Sequence, residues 1–243
     1  GFAEVFSADP LGLFIPTRLH PLFGSLVESF NFQADKGQHL FIGYVVLVLA
    51  LYALVRCPRA RCSLFWGLSA FVFLVLCLGP VLSINGHSTG LPLPFLLLQR
   101  LPFFKGNRYP GRFGVMVVLS LAVLVGFGLE RLLKRIQGRR SFFVAACSLF
   151  CSLLILFEYL SVPLPLSDMR IPEVYHLIAA EEGDFAVLDI PLAWRNGFRI
   201  TGTLDTIIMF EQFYQTVHGK RILAGNTSRN PEFKFQYFTA LPV

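Results

Sequence analysis

Three groups of residues in this chain combine types and spacings that could do chemistry. Arg100, Lys105, Arg108 and Arg112 gather in one segment with no acid among them. Guanidinium forks match phosphate oxygens, so the run from Lys105 through Gly106, Asn107, Arg108, Tyr109, Pro110 and Gly111 to Arg112 suits an anionic group such as a lipid phosphate. The simpler alternative is that these long side chains reach lipid headgroups without any dedicated site. Asp9 and His20 form a second, sparser pair: a carboxylate can act as general base or hold a metal, and a histidine can assist either. A turn-capping role for Asp9 is the structural alternative. Glu211, Tyr214 and His218 stand at i, i+3 and i+7 and would share one helical face. Such a face could bind a sugar or do acid/base work on the acceptor side; a packed aromatic face with His218 at a helix end is the common structural outcome. Cys57 and Cys62 have loose metal-ligand spacing, but no second Cys or His pair completes a tetrahedral set, so no metal site is assigned. No Gly-rich phosphate loop, Ser-His-Asp order or HExxH occurs, and Asn226-Thr227-Ser228 is a glycosylation sequon that matters only in a eukaryotic secretory protein.

What positions these groups is set by four long runs without a formal charge, residues 37–55, 62–99, 113–129 and 141–157. A bilayer core about 30 Å thick is crossed by roughly 20 apolar residues as helix, with a range of about 17 to 25. The expected fold class is therefore an α-helical membrane protein. About four transmembrane helices, near 39–55, 62–79, 113–129 and 141–157, are joined by interfacial helices and followed by a small extracytoplasmic α/β domain. Pro80 is a natural stop for the second span because it removes a backbone donor. Residues 91–104 are apolar but broken by Pro92, Pro94 and Pro102, which reads as an interfacial or re-entrant helix. Ala122 and Gly126, four apart in the third span, form a small-xxx-small pair that permits close helix approach, the alternative being chance spacing in a Gly-rich apolar helix.

Short loops rich in Lys and Arg stay on the cytoplasmic side. Arg56, Arg59 and Arg61 lie between the first two spans; Arg131, Lys134, Arg135, Arg139 and Arg140 lie between the last two. Both loops are read as cytoplasmic, which places residues 1–36, about 80–112 and 161–243 outside. The cations at 100–112 then run against the orientation rule, which is the argument for giving them a task. Residues 40–160 hold 12 basic and 2 acidic residues, and residues 161–243 hold 7 basic and 9 acidic, so the net charge of +6 sits with the spans. It anchors a membrane protein; no basic stripe interleaved with aromatics suggests nucleic acid as a partner. The five cysteines all fall in spans or at their cytoplasmic ends, where no external disulfide forms.

Residues 1–36 contain Asp9-Pro10, Ile15-Pro16 and His20-Pro21, and read as an external loop with short interfacial pieces. The chain opens in that loop with neither Met nor a signal peptide, so it is read as a piece of a longer protein. After residue 161 the composition is that of a soluble domain. A capped helix is expected at 168–180, a strand at 185–192, a mostly helical segment at 203–218 and a short strand at 221–224.

Several strings in this order carry a resemblance: Ser7-Ala8-Asp9 with Pro16 and His20-Pro21, then Phe41-Ile42-Gly43-Tyr44, then Arg108-Tyr109-Pro110-Gly111-Arg112-Phe113. Tyr214 to Gly219, Ala224-Gly225-Asn226 and Ser228-Arg229-Asn230-Pro231 complete the set. The chain resembles YfhO-type and GT-C-like polytopic membrane proteins of bacteria over most of its length. The resemblance implies a multispan protein of the bacterial plasma membrane with an extracytoplasmic C-terminal domain. It also implies transfer of a sugar from a polyprenyl-phosphate donor on the outer face to a glycan or protein acceptor that is left open. The catalytic acid of GT-C enzymes usually lies in the first external loop, which would precede Gly1. Their chemistry admits a divalent metal, but no ligand set for one is visible and the cofactor is left open.

The leading expectation is thus the C-terminal part of a GT-C-like glycosyltransferase; its rival is a non-catalytic membrane protein that moves or organises lipid-linked glycans. A secondary transporter is disfavoured because no span carries a charge within its apolar stretch. The topology is open to direct test with single cysteines at Arg59 or Gln137 in a Cys-free background. Neither is expected to react with a membrane-impermeant thiol reagent from outside, and labelling of either overturns the orientation.

Overall fold

The computed structural model describes residues 2–30, 32, 39–56, 60–104, 107, 109–136, 141–197, 199–203, 207–227 and 230–240. The chain divides into two units, Gly1–Pro165 and Leu166–Val243.

In the first unit the apolar runs form α3 (Tyr44–Arg56), α4 (Ala60–Cys77), α6 (Gly114–Ile136) and α7 (Ser141–Glu158). Ahead of them come α1 (Phe2–Val5), a 3-10 turn at Leu11–Leu13 and α2 (Gly24–Ser29); between α4 and α6 come β1 (Val81–Ile84), β2 (His87–Pro92), α5 (Phe95–Leu98) and a 3-10 turn at Pro110–Phe113. At 1.5 Å per residue α3 is only about 20 Å long and α6 about 35 Å. Counted with its 3-10 start, Pro110–Ile136 is the one helix among the described residues long and apolar enough to cross a membrane; Tyr44–Arg56, Arg61–Cys77 and Phe142–Glu158 are apolar but shorter. The helical part of the first expected span begins at Tyr44 rather than at residue 39. Gly43 takes φ +86°, and a β-carbon there would meet the Tyr159 hydroxyl at 3.0 Å and a Glu158 oxygen at 3.1 Å.

Helix α6 is the centre of this unit and packs on both α3 and α4. Val117, Leu121 and Leu124 of α6 meet Ala50 and Ala53 of α3 and Ala70 of α4, with Ile42 and Leu13 closing one end. Helices α3 and α6 run in the same direction: Gly114 faces the Leu40 side chain, and Gly128 lies against the Leu49 carbonyl. Helix α4 runs opposite to α6, since the Ser69 and Ser120 hydroxyls meet at 3.0 Å while Phe73 stacks with Phe113 at the start of α6. The glycine that brings α3 and α6 together is Gly128, not Gly126 of the expected Ala122–Gly126 pair. A β-carbon at Gly128 would lie 2.3 Å from Leu49 O, whereas one at Gly126 meets nothing within 4 Å.

Large apolar side chains cover the outside. On α4, Leu64, Phe65 and Phe71 are 62–68 % exposed; on α7, Phe142 is 74 % exposed, and Val115 of α6 is 70 % exposed. A helix apolar on all sides suits a deep core or a bilayer, and here the apolar sides face outward.

The segment 91–104, expected to be an interfacial or re-entrant helix, is divided between the hairpin and the single turn α5. Strands β1 and β2 pair antiparallel across Asn85 and Gly86, with φ of 52° and 76°. Both residues of a type I′ hairpin turn need positive φ, which Asn-Gly accepts at low cost.

In the second unit, α8 (Glu173–Ala180) precedes β3 (Ala186–Val187), β4 (Ala193–Asn196) and β5 (Arg199–Gly202); then follow α9 (Ile207–His218), β6 (Arg221–Ile222), β7 (Gly225–Thr227) and α10 (Glu232–Thr239). Strand β4 is central in the order β5-β4-β7, antiparallel to β5 and parallel to β7, and β3 pairs parallel with β6. Helix α9 packs on α8, β4, β6 and β7. Trp194 is buried and donates through Nε1 to Thr227 Oγ1 at 2.9 Å; Asn230 Nδ2 donates to the same oxygen, which in turn donates to Arg195 O. Thr227 of the sequon is thereby a structural hub.

Expected elements are shortened where side chains claim the backbone. The helix expected from 168 starts at Glu173, because Pro172 is extended and Asp168 instead accepts from the Arg170 amide at 3.0 Å. The strand expected over 185–192 pairs only at Ala186–Val187, and beyond it Asp189 turns toward α8.

The two glycines of α6 give a paired test. Gly128→Ala is expected to destabilise the intact protein by about 1–3 kcal/mol, because the Leu49 backbone cannot retreat without separating the helices. Gly126→Ala is expected to be neutral or to stabilise by up to about 1 kcal/mol through helix propensity. Thermal unfolding in neutral detergent measures both.

Candidate functional site

Asp9 and His20 do not form a joint site. Asp9 is buried: its Oδ1 accepts from Leu11 N at 2.9 Å and its Oδ2 from Gly86 N at 3.0 Å. It closes its own turn and holds the tip of the hairpin. His20 is also buried; Nδ1 accepts from the amides of Leu22 and Phe23, each at 3.2 Å, so Nε2 carries the proton and donates to Phe157 O at 2.9 Å. Each group is consumed by backbone partners, as expected of structural side chains.

Of the four cations expected to bind phosphate, Lys105 and Arg108 lie outside the described residues. Arg100 and Arg112 are exposed. The Arg112 guanidinium lies 4.5 Å from the centroid of the Tyr109 ring, which itself packs on Phe6 at 4.2 Å. Arg112 is thus braced at the start of α6 with its hydrogen-bonding edge open, and among the described residues no carboxylate pairs with it.

Glu211, Tyr214 and His218 do share one face of α9, and all three are buried. Their neighbours come from elsewhere in the unit. Tyr175 of α8 stacks on Tyr214 at 4.3 Å and on His218 at 5.9 Å, and its hydroxyl donates to Asp189 Oδ1 at 2.9 Å. Tyr175 and Asp189 escape a reading by helical spacing because they lie on other elements. The only sequence signal for them is the aromatic residue inside the apolar stripe of α8.

The electrostatics of this cluster are unusual for a core. Among the described residues, neither carboxylate oxygen of Glu211 has a hydrogen-bond partner, and neither does His218 Nε2. Glu211 is 1 % exposed, and burial together with the Asp189 charge pushes its pKa up to about 7. Burial and the bond to Asp189 push the Tyr175 phenol well above its ordinary range. His218 Nδ1 accepts from Lys220 N at 3.1 Å, which leaves the proton on the buried Nε2. A buried carboxyl without a hydrogen-bond partner among the described residues, pushed toward neutrality and sharing a helix face with a histidine and a stacked phenol, has the composition of an acid/base site. Among the described residues no group of three metal-ligating side chains occurs, here or elsewhere.

Comparison of the chain with protein-family models finds no match, and comparison with curated proteins and with solved structures finds none either.

The Glu211 carboxyl makes stability depend on pH with a definite sign. Its folded-state pKa of about 7 lies above the ordinary 4.5, so the folded protein holds the proton more tightly than the unfolded chain. Stability present below about pH 4.5 is then lost as pH rises toward 7, by about 3 kcal/mol at most. In a Trp66→Phe background, Trp194 fluorescence is expected to report a melting temperature that falls from pH 5 to 8. Glu211→Gln is expected to flatten that fall; an equal fall in the variant contradicts the assignment.

Proposed function

We propose that this chain is part of a GT-C-like integral membrane glycosyltransferase that uses a polyprenyl-phosphate-linked sugar on the outer face of the membrane. The observation that carries the reading is the enclosed Glu211 carboxyl, without a hydrogen-bond partner among the described residues and pushed up to about 7, on the buried helix face it shares with Tyr214 and His218. A general base is most effective when its pKa lies near the working pH. In this reading Glu211 takes the proton of an acceptor hydroxyl, His218 and Tyr214 complete the acceptor-side face, and Arg100 and Arg112 answer the lipid phosphate. The outward apolar surfaces of α4, α6 and α7 support the membrane setting, because contiguous apolar surface of this extent is seldom left to water.

A second reading, a non-catalytic membrane protein that transports or organises lipid-linked glycans, is favoured by one specific observation. The catalytic candidates Asp9 and His20 spend their polar atoms on backbone groups. The two readings part on sugar transfer by the intact protein in vesicles containing a polyprenyl-phosphate sugar. The enzyme reading expects transfer to rise with pH through about 7, to fall by about 10²–10⁴-fold in Glu211→Gln, and to be poorly supported by Arg112→Lys, since an ammonium does not reproduce a bidentate fork. Absence of transfer by the parental protein at full expression leaves the non-catalytic reading standing, and parental turnover in both variants removes Glu211 and Arg112 from the reaction.

A further inference from the structure

At the end of the first unit away from Asp9 and His20, two segments about 75 residues apart in sequence meet. Tyr52 and Arg56 at the end of α3 and Arg131, Lys134 and Arg135 at the end of α6 line one open cavity of about 340 Å³. Lys134 is bonded to Glu130 at 2.6 Å. Among the described residues no carboxylate pairs with Arg56, Arg131 or Arg135. Two helix C-termini at the site carry about −0.5 charge each, which offsets about a third of the charge of the three guanidiniums. Retention of basic loops on one side of a membrane would be served equally by cations scattered around the rim. Gathering them around one cavity works against their mutual repulsion, and an anion is what offsets that repulsion. The planar forks of arginine and the Tyr52 hydroxyl are matched to phosphate oxygens rather than to a simple halide.

We propose that this cavity is a binding site for a phosphate-bearing headgroup, filled by an anionic phospholipid of the surrounding leaflet. The site is distinct from the phosphate role given to Arg100 and Arg112 and from the Glu211 cluster, and it rests on neither. Only its lipid source depends on α3 and α6 lying in a membrane. Basic pockets between membrane helices are suited to such headgroups, whose acyl chains stay in the bilayer while the phosphate reaches the cations.

The test uses the intact protein in neutral detergent with two probes: phosphatidylglycerol in mixed micelles with phosphatidylcholine, and pyrophosphate free in solution. Phosphatidylglycerol is expected to raise the melting temperature in a saturable way where phosphatidylcholine alone does not. Arg56→Gln, Arg131→Gln and Arg135→Gln are each expected to weaken that binding about tenfold, the loss of one charge-assisted pair. Arg61→Gln removes an exposed cation that does not line the cavity and is expected to leave binding unchanged. Each variant's melting temperature without lipid shows whether it folds; for one that does not, the corresponding Lys replacement is used. Saturation by pyrophosphate alone, weakened by the same three variants, keeps the phosphate site but overturns the lipid as its source. Failure of both probes to bind, or equal weakening in Arg61→Gln, overturns the proposal. None of these outcomes depends on sugar transfer, so the enzyme reading stands or falls separately.

Discussion

The helix ends of the first unit need partners that the helices cannot supply. Four N–H groups at every helix start and four carbonyls at every helix end have no partner within the helix, and leaving such groups unpaired in apolar surroundings costs several kcal/mol each. Glu158 at the end of α7 answers this for α3: both of its oxygens accept from Val45 N at 3.0 Å, placing a carboxylate at the positive end of the α3 dipole. Tyr159 donates to Ile42 O beside it, and His20 donates to Phe157 O one turn away. At the end of α4, Ala8 N donates to Cys77 O at 2.8 Å. The polar side chains of this region are spent on helix ends and turns, His20 at the end of α7 and Asp9 at its own turn and the hairpin tip, which is why neither is available for chemistry.

That constraint also accounts for where the charges are. Residues 40–160 contain two carboxylates; Glu158 is held at the start of α3, and Glu130 is bonded to Lys134 toward the other end of α6. With the acids so placed, Arg56, Arg131 and Arg135 are left at the far ends of α3 and α6 without carboxylate partners among the described residues. In the second unit the balance is reversed, and the feature of note is an acid without a hydrogen-bond partner among the described residues. A buried carboxyl beside another carboxylate keeps its proton to a higher pH than a surface glutamate does, and Glu211 beside Asp189 keeps it up to about pH 7.

How much of this was legible in the sequence follows from the range over which each signal acts. Apolar runs and helical spacing are local, so the positions of α3, α4, α6 and α7 and the shared face of Glu211, Tyr214 and His218 could be read directly. The hairpin at Asn85-Gly86 was equally local; the prolines that follow it drew attention to a broken helix instead. The Ala122–Gly126 pair misled because spacing identifies small residues without saying which way they face, and the contact falls to Gly128, two positions further on. Glu158 reads as the end of an apolar run, and its partner is 113 residues earlier. Tyr175 and Asp189 are joined to the α9 face only by packing between elements, a relation that no single segment records.

The distance between Glu158 and Val45 also has a meaning in time. A ribosome adds about 5–20 residues per second, so α3 exists for roughly ten seconds before the carboxylate that completes its first turn has been made. During that interval its leading amides must be served by water or by other polar groups, and α3 has reason to stay near a polar boundary. The arrival of α7 ends that dependence. Helix α7 therefore acts as a latch on α3, and a chain interrupted before residue 158 would leave the synthesis apparatus with the start of α3 still unsecured.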